Sequence, residues 1–153
     1  MKKIIAFFIV LITSGCGFKV VNIADLNNFN IAEITTDGDK RINYKIKNRL
    51  LFNSNNNEEN QIVVNLFTKK NKVIKEKNIK NEITKYRLSL LVDVKFNSIN
   101  KTNEGQFSVN KGGDYNVASQ YSQTLNNEKK LIDLLANELA DEILERLRLV
   151  NDL

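Results

Sequence analysis

The chain has 153 residues, which fits one domain, and its 42% hydrophobic and 27% charged residues are ordinary for a soluble fold. It contains no histidine and one cysteine, which excludes an internal disulfide and argues against a zinc site. The net charge of +5 is mild, and no arginine cluster with interleaved aromatic residues is present, so nucleic-acid binding is not expected.

The N-terminus has the three-part layout of a secretory signal. A lysine pair, Lys2 and Lys3, precedes an unbroken apolar run at 4–12 that is too short to cross a bilayer. Small residues at 13–15 then lead to Cys16, the only cysteine. A buried core helix would explain neither the lysine pair nor the small residues, so residues 1–15 are predicted to be a signal peptide.

The end of this segment resembles a bacterial lipobox, in which small residues precede a cysteine that is lipidated and becomes the new N-terminus. Ser14 and Gly15 fit the pattern, whereas Thr13 stands where a leucine is usual. The resemblance implies a diacylglycerol thioether and an amide-linked acyl chain on Cys16, and several acyl chains anchor a protein stably. Gly17, rather than an aspartate, follows the cysteine, which implies the outer membrane facing the periplasm.

The first elements of the mature chain are a strand and a helix. Residues 31–36 form a short β-rich run, and the turn signal at 37–39 offers Asp39 as a helix N-cap. Residues 40–52 carry apolar side chains four residues apart, which predicts a helix with one buried face. Those side chains are Ile42, Ile46 and Leu50.

A loop and two strands are predicted next. The asparagine-rich stretch 53–60 is typical of a loop, and 62–67 is a strand that 72–78 extends in one interpretation. Residues 86–96 have the clearest period of two in the chain, which is typical of an antiparallel strand with one buried and one wet face. The predicted buried side chains are Leu88, Leu90, Val92, Val94 and Phe96, and the predicted wet ones include Arg87, Ser89, Asp93 and Lys95.

The last third of the chain is predicted to hold a hairpin and a long helix. Residues 98–105 indicate a hairpin loop and 106–109 the return strand, while the adjacent glycines in 110–115 favour a turn over a phosphate-binding loop. From about 123 to 150 the apolar residues recur every three or four positions, as in a helix packed on a sheet. They are Ile132, Leu135, Ala136, Leu139, Ala140, Ile143 and Leu147.

The resulting order, β-α-β-β-β-α, predicts an α+β fold in which a single mixed or antiparallel sheet of about four strands packs against two helices. Residues 16–30 are predicted to be the lipidated N-terminus and a linker, and 31–153 the single domain. No histidine, nucleophile motif or clustered carboxylate pair points to catalysis, so neither an enzymatic activity nor a cofactor or metal is expected.

The mature chain, from "CGF" to "ADEILERLRL", resembles the LPS-assembly lipoprotein LptE family. The resemblance rests on the lipobox with Phe18 two residues after the cysteine, on the element order, and on the strand "KYRLSLLVDVKF". It also rests on the closing segment, which begins "YNVASQYSQTLNN" and continues into a long helix. The early mature segment departs from the family pattern, because it lacks the proline that the family often has there.

This resemblance implies a protein that sits inside the LptD β-barrel of the outer membrane, plugs its lumen, assists its assembly and helps deliver lipopolysaccharide to the surface. A barrel lumen is polar, so such a plug needs a polar exterior. Cations on an exposed sheet face could pair with lipid A phosphates. The candidates are Arg87 and Lys95 on the wet face of strand 86–96, with Lys101 and Lys111 in neighbouring loops.

Other interpretations stay open at this point. Scattered cations also keep a surface soluble, which is the ordinary role of exposed lysines. A lipoprotein of a different class, such as a pilotin-like chaperone of another outer-membrane complex, would have the same leader and a different partner. An envelope enzyme is the third class, although the sequence nominates no substrate for it.

Overall fold

The computed structural model describes residues 29–54, 60–99 and 103–151. The signal segment, Cys16 and Lys101 therefore lie outside the described residues. The elements follow the predicted β-α-β-β-β-α order. They are β1 (Asn30–Gly38), α1 (Lys40–Phe52), β2 (Gln61–Lys77), β3 (Ile83–Ser98), β4 (Glu104–Asn116) and α2 (Tyr121–Asn151).

The four strands form one mixed sheet in the order β1-β2-β3-β4, which confirms the predicted α+β class. β1 and β2 pair in parallel, and α1 provides the crossover that a parallel pair requires. β2 pairs antiparallel with β3, and β3 pairs antiparallel with β4, so these three strands form two successive hairpins. Both helices lie on one face of the sheet, and no helix among the described residues covers the other face.

The turn between β1 and α1 depends on two residues. Asp39 is the N-cap of α1, as predicted, and its Oδ1 accepts hydrogen bonds from the backbone N–H groups of Arg41 and Ile42, both at 3.1 Å. Gly38 has a φ of +93°, and a Cβ there would lie 2.1 Å from the backbone oxygen of Thr68. Only glycine fits this position, because both the dihedral and the close approach to β2 exclude a side chain.

The core lies between the sheet and the two helices. Phe29, immediately before β1, is fully buried in it, and β3 contributes the alternating side chains that the period of two predicted. The predicted apolar stripes of α1 and α2 are also buried. Between the helices, Lys45 lies 2.7 Å from Asp133 and Arg49 lies 3.0 Å from Asp141.

The turn predicted at 110–115 is wrong, because β4 continues through these residues to Asn116. Lys111 therefore lies in a strand and not in a loop. Gly113 serves close packing instead of chain reversal, because a Cβ there would lie 2.7 Å from Cδ1 of Leu131 in α2. The glycine lets the helix approach the edge strand closely.

Candidate functional site

The sheet face that no helix of the described residues covers presents side chains from all four strands, and we call it the open face. Alternate residues of all four strands form it, in the register that the strand pairing sets. It includes the face of β3 that was predicted to be wet. Its central members are Thr35, Asn65, Phe67, Lys69, Arg87, Leu91, Asp93, Lys95, Gln106, Ser108 and Asp114.

Charges of both signs are mixed on the open face. The Nζ of Lys69 lies 3.8 Å from Asp93, and the Nε of Arg87 lies 3.6 Å from Asp114. The hydroxyl of Ser108 donates a hydrogen bond to Asp93 at 2.6 Å. Exposed ion pairs of this kind contribute about 0–1 kcal/mol each to stability, so their main effect is to keep the face polar and locally neutral.

The structure does not bring the predicted phosphate-binding cations together. Arg87 and Lys95 share the open face, but they are eight positions apart in β3, about 26 Å along the strand. Lys111 is paired across the strands with the buried Leu90, so it points to the helix side. There its Nζ lies 2.8 Å from Glu142, and this hydrogen bond raises the pKa of Lys111.

Lys95 stands in a row of polar side chains that crosses the sheet. Its strand neighbours are Asn65 on β2 and Gln106 on β4, and the Thr35 hydroxyl of β1 donates a hydrogen bond to the side-chain oxygen of Asn65. Among the described residues, no carboxylate lies within ion-pair distance of Lys95. Shallow depressions of about 390 Å³ and 430 Å³ border it. Lys95 is thus the candidate cation most available to an anionic ligand.

A second cluster lies on the helix side of the sheet, beside the first turns of α2. The Nζ of Lys72 lies 2.7 Å from Glu128 and 4.3 Å from the centroid of the Tyr86 ring. The rings of Tyr86 and Tyr115 stack with centroids 5.6 Å apart, and the Tyr115 hydroxyl donates a hydrogen bond to Glu128 at 2.8 Å. This cluster could not be predicted from spacing in the sequence, because its members lie on four different elements.

The ionisation of this cluster follows from its contacts. Burial is the largest single influence on both Lys72 and Glu128 and favours their neutral forms. The hydrogen bond between them, the hydrogen bonds with Tyr115 and the Coulombic attraction together outweigh it, so the pKa of Lys72 is raised and the pKa of Glu128 is lowered. Burial raises the pKa of the Tyr115 phenol. The carboxylate of Glu128 therefore accepts two hydrogen bonds at neutral pH and ties α2 to the sheet.

Replacing Glu128 by glutamine is expected to lower the free energy of unfolding by about 1–2 kcal/mol at pH 7, because a charged hydrogen-bond pair is lost. A carboxylate with a lowered folded pKa stabilises the fold above its unfolded pKa of about 4.3, and this contribution is lost as the pH falls through the folded value. The difference in the free energy of unfolding between wild type and Glu128→Gln should therefore shrink as the pH falls through the lowered pKa of folded Glu128, as measured by denaturant unfolding.

Glu145→Gln is the matched control, since Glu145 is exposed on the same helix and has no ion pair among the described residues. It is expected to change the free energy of unfolding by less than about 0.5 kcal/mol at either pH. If Glu128→Gln retained the full stability and pH dependence of the wild type, the structural role of this pair would be wrong.

The described part of the chain offers no group of three or more histidine, cysteine or acidic side chains that could hold a metal ion. Across the same residues, no helix is both long enough and apolar enough to span a membrane. The two surfaces described above offer hydrogen-bonding groups and single cations to a ligand.

The sequence matches no protein-family model and no curated protein. Solved structures do share the fold. Uncharacterized lipoprotein B from Nitrosomonas europaea superposes with a TM-score of 0.62 at 12% identity, covering 86% of this chain and 90% of its own. Rare lipoprotein B from Shewanella oneidensis gives a TM-score of 0.58 at 16% identity, covering 75% and 92%.

A third structure, a protein from Caulobacter crescentus CB15 described as a lipoprotein, gives a TM-score of 0.57 at 14% identity and covers 86% of this chain and 93% of its own. All three matches extend over most of both chains, so they concern the whole sheet and both helices. The chain therefore has the fold seen in these three structures, including rare lipoprotein B.

Proposed function

We propose that this chain is a non-enzymatic outer-membrane lipoprotein that plugs an LptD-like β-barrel, assists its assembly and helps deliver lipopolysaccharide to the cell surface. The observation that carries the proposal is the fold it shares with rare lipoprotein B and two further structures described as lipoproteins. The lipobox-like sequence that ends at Cys16 supports a lipid anchor independently of the fold.

The surface of the domain is consistent with a plug. A barrel lumen is lined by polar side chains, so a protein inside it must present hydrogen-bonding groups and avoid a strong net charge of one sign. The open face meets both conditions, because its lysines and Arg87 alternate with Asp93, Asp114 and neutral amides. Its few apolar side chains, such as Phe67, stand singly among them.

Within this proposal, Lys95 is the first of the described candidates to contact a lipid A phosphate. Arg87 and Lys111 already pair with Asp114 and Glu142, and a phosphate would have to displace those carboxylates. Lys95 has no such competitor among the described residues, and the amides of Asn65 and Gln106 flank it with further donors. Lys101 stays a sequence-based candidate.

Depletion of the protein from its native cells tests the function. The proposal predicts less lipopolysaccharide at the cell surface and less correctly assembled barrel, both restored by the wild-type gene. Unchanged surface lipopolysaccharide together with loss of a secretin-type ring would contradict it and favour the pilotin-like alternative.

A further inference from the structure

Positive charge is concentrated on the outer half of the β2–β3 hairpin, residues 69–87, which we call the distal arm. It holds eight of the 23 basic residues of the chain and two of its 18 acidic residues, a net charge of +6. The whole chain carries +5, so everything outside the arm carries −1. Such asymmetry indicates a surface that meets an anionic partner.

The distal arm projects beyond the rest of the domain. Every residue from 69 to 82 is exposed, whereas the inward-facing residues of the same strand between 62 and 68 are buried. Ion pairs between the arm and the rest of the domain fall at its base, where Lys69, Lys70, Lys72, Lys75 and Arg87 reach the carboxylates of Asp39, Asp93, Asp114 and Glu128. When the four carboxylates are added to the residues of the distal arm, the net charge of this set is still +2.

Toward the tip the cations are less neutralised. Lys77 donates a hydrogen bond to the neutral side chain of Asn81 at 2.9 Å, and Lys80 has no carboxylate within ion-pair distance among the described residues. Lys85 pairs with Glu76, also on the arm, at 2.8 Å. Lys77 and Lys80 are therefore available to an external anion, and Lys75 keeps only a 3.9 Å contact with Asp114, a carboxylate that Arg87 shares.

The apex of the arm is a fixed turn that displays an apolar side chain. The side-chain oxygen of Asn78 accepts from the backbone N–H groups of Lys80 and Glu82 at 3.0 and 2.9 Å, and Asn81 adopts a φ of 63°. This turn holds Ile79 entirely in solvent, with an exposed fraction of 104%. Lys77 and Lys80 flank this exposed isoleucine in the turn, and its transfer out of water is favourable.

We propose that the distal arm binds the surface of a bilayer that contains anionic phospholipids, with Lys75, Lys77 and Lys80 near the headgroup phosphates and Ile79 among the headgroups. Lysines at an anionic bilayer are attracted to its surface potential, and an aliphatic apex adds an apolar contact. A single-stranded nucleic acid fits less well, because Tyr86, the one aromatic residue of the arm, already stacks on Tyr115.

Vesicle cosedimentation tests the proposal with the full chain carrying Cys16→Ser, so that no acyl chain contributes. The chain with the wild-type arm should bind vesicles of phosphatidylcholine and phosphatidylglycerol better than it binds vesicles of phosphatidylcholine alone. The triple variant Lys75→Gln, Lys77→Gln and Lys80→Gln should lose about fivefold in this preference per lysine, so about a hundredfold in all. Ile79→Asn, at unchanged charge, should weaken binding a few-fold.

The matched control is the triple variant Lys40→Gln, Lys129→Gln and Lys130→Gln, which removes the same charge from exposed positions on the helices. It is expected to keep the preference for phosphatidylglycerol. Equal losses in the two triple variants, or no loss in the arm variant, would overturn the proposal, as would capture of an acidic protein by the arm without any vesicle binding. Because the readout needs neither lipidation nor a barrel, its failure would leave the proposed function standing.

Discussion

Leu139→Asp is expected to unfold the domain at room temperature. Leu139 lies in the middle of α2 with an exposed fraction of 0%, on the stripe that packs against the sheet. The substitution leaves a cavity and places a carboxylate where no partner is available, at a total cost of at least about 5 kcal/mol. That is comparable to the whole stability of a typical domain. Circular dichroism and denaturant unfolding measure the loss directly.

Leu134→Asp provides the matched control on the same helix. Leu134 has an exposed fraction of 55%, so its replacement is expected to change the free energy of unfolding by about 0.5 kcal/mol or less. Equal destabilisation by the two variants would mean that the buried face of α2 has been assigned incorrectly.

Cys16→Ala is expected to have the largest effect on where the protein resides. The proposed lipidation needs the Cys16 thiol, so the variant should not be acylated and should accumulate as an uncleaved precursor or leave the membrane fraction. Metabolic labelling with a fatty acid, followed by cell fractionation, measures both outcomes.

Ser14→Ala serves as the control for this experiment, because it keeps a small residue two positions before the cysteine. It should be acylated and fractionate as the wild type does. Normal acyl labelling of Cys16→Ala would show that the attachment site is elsewhere.

The parts of the fold that could be predicted from the sequence are those fixed by local signals. Asp39 and the four-residue spacing in 40–52 together defined α1, and its bounds in the structure are Lys40–Phe52. The period of two likewise defined the faces of β3. In both cases the information lies within one element, so no tertiary contact is needed to read it.

Features that depend on contacts between distant residues were missed. Gly112 and Gly113 give the same local signal in a turn and in a strand that a helix approaches closely, and only the position of Leu131 distinguishes the two. Lys72 and Glu128 lie 56 positions apart in the chain, so their hydrogen bond could not be foreseen from spacing.

The candidate site likewise combines features set by local sequence with features set by contacts between distant residues. The wet face of β3 was predictable, and with it the placement of Arg87 and Lys95 on one surface. The neighbours of Lys95 were not, because Asn65 and Gln106 reach it only through the register of two strand pairings. The pairing of Arg87 with Asp114 could not be predicted either, because the predicted return strand ended at residue 109, whereas β4 extends to Asn116.

We propose that this protein works by fitting into another protein, and the decisive experiment is affinity purification of the lipidated chain from detergent-solubilised outer membranes. A large β-barrel protein is expected to co-purify with it in a stoichiometric complex. Recovery of the chain as a clean monomer, with no barrel protein bound, would contradict it.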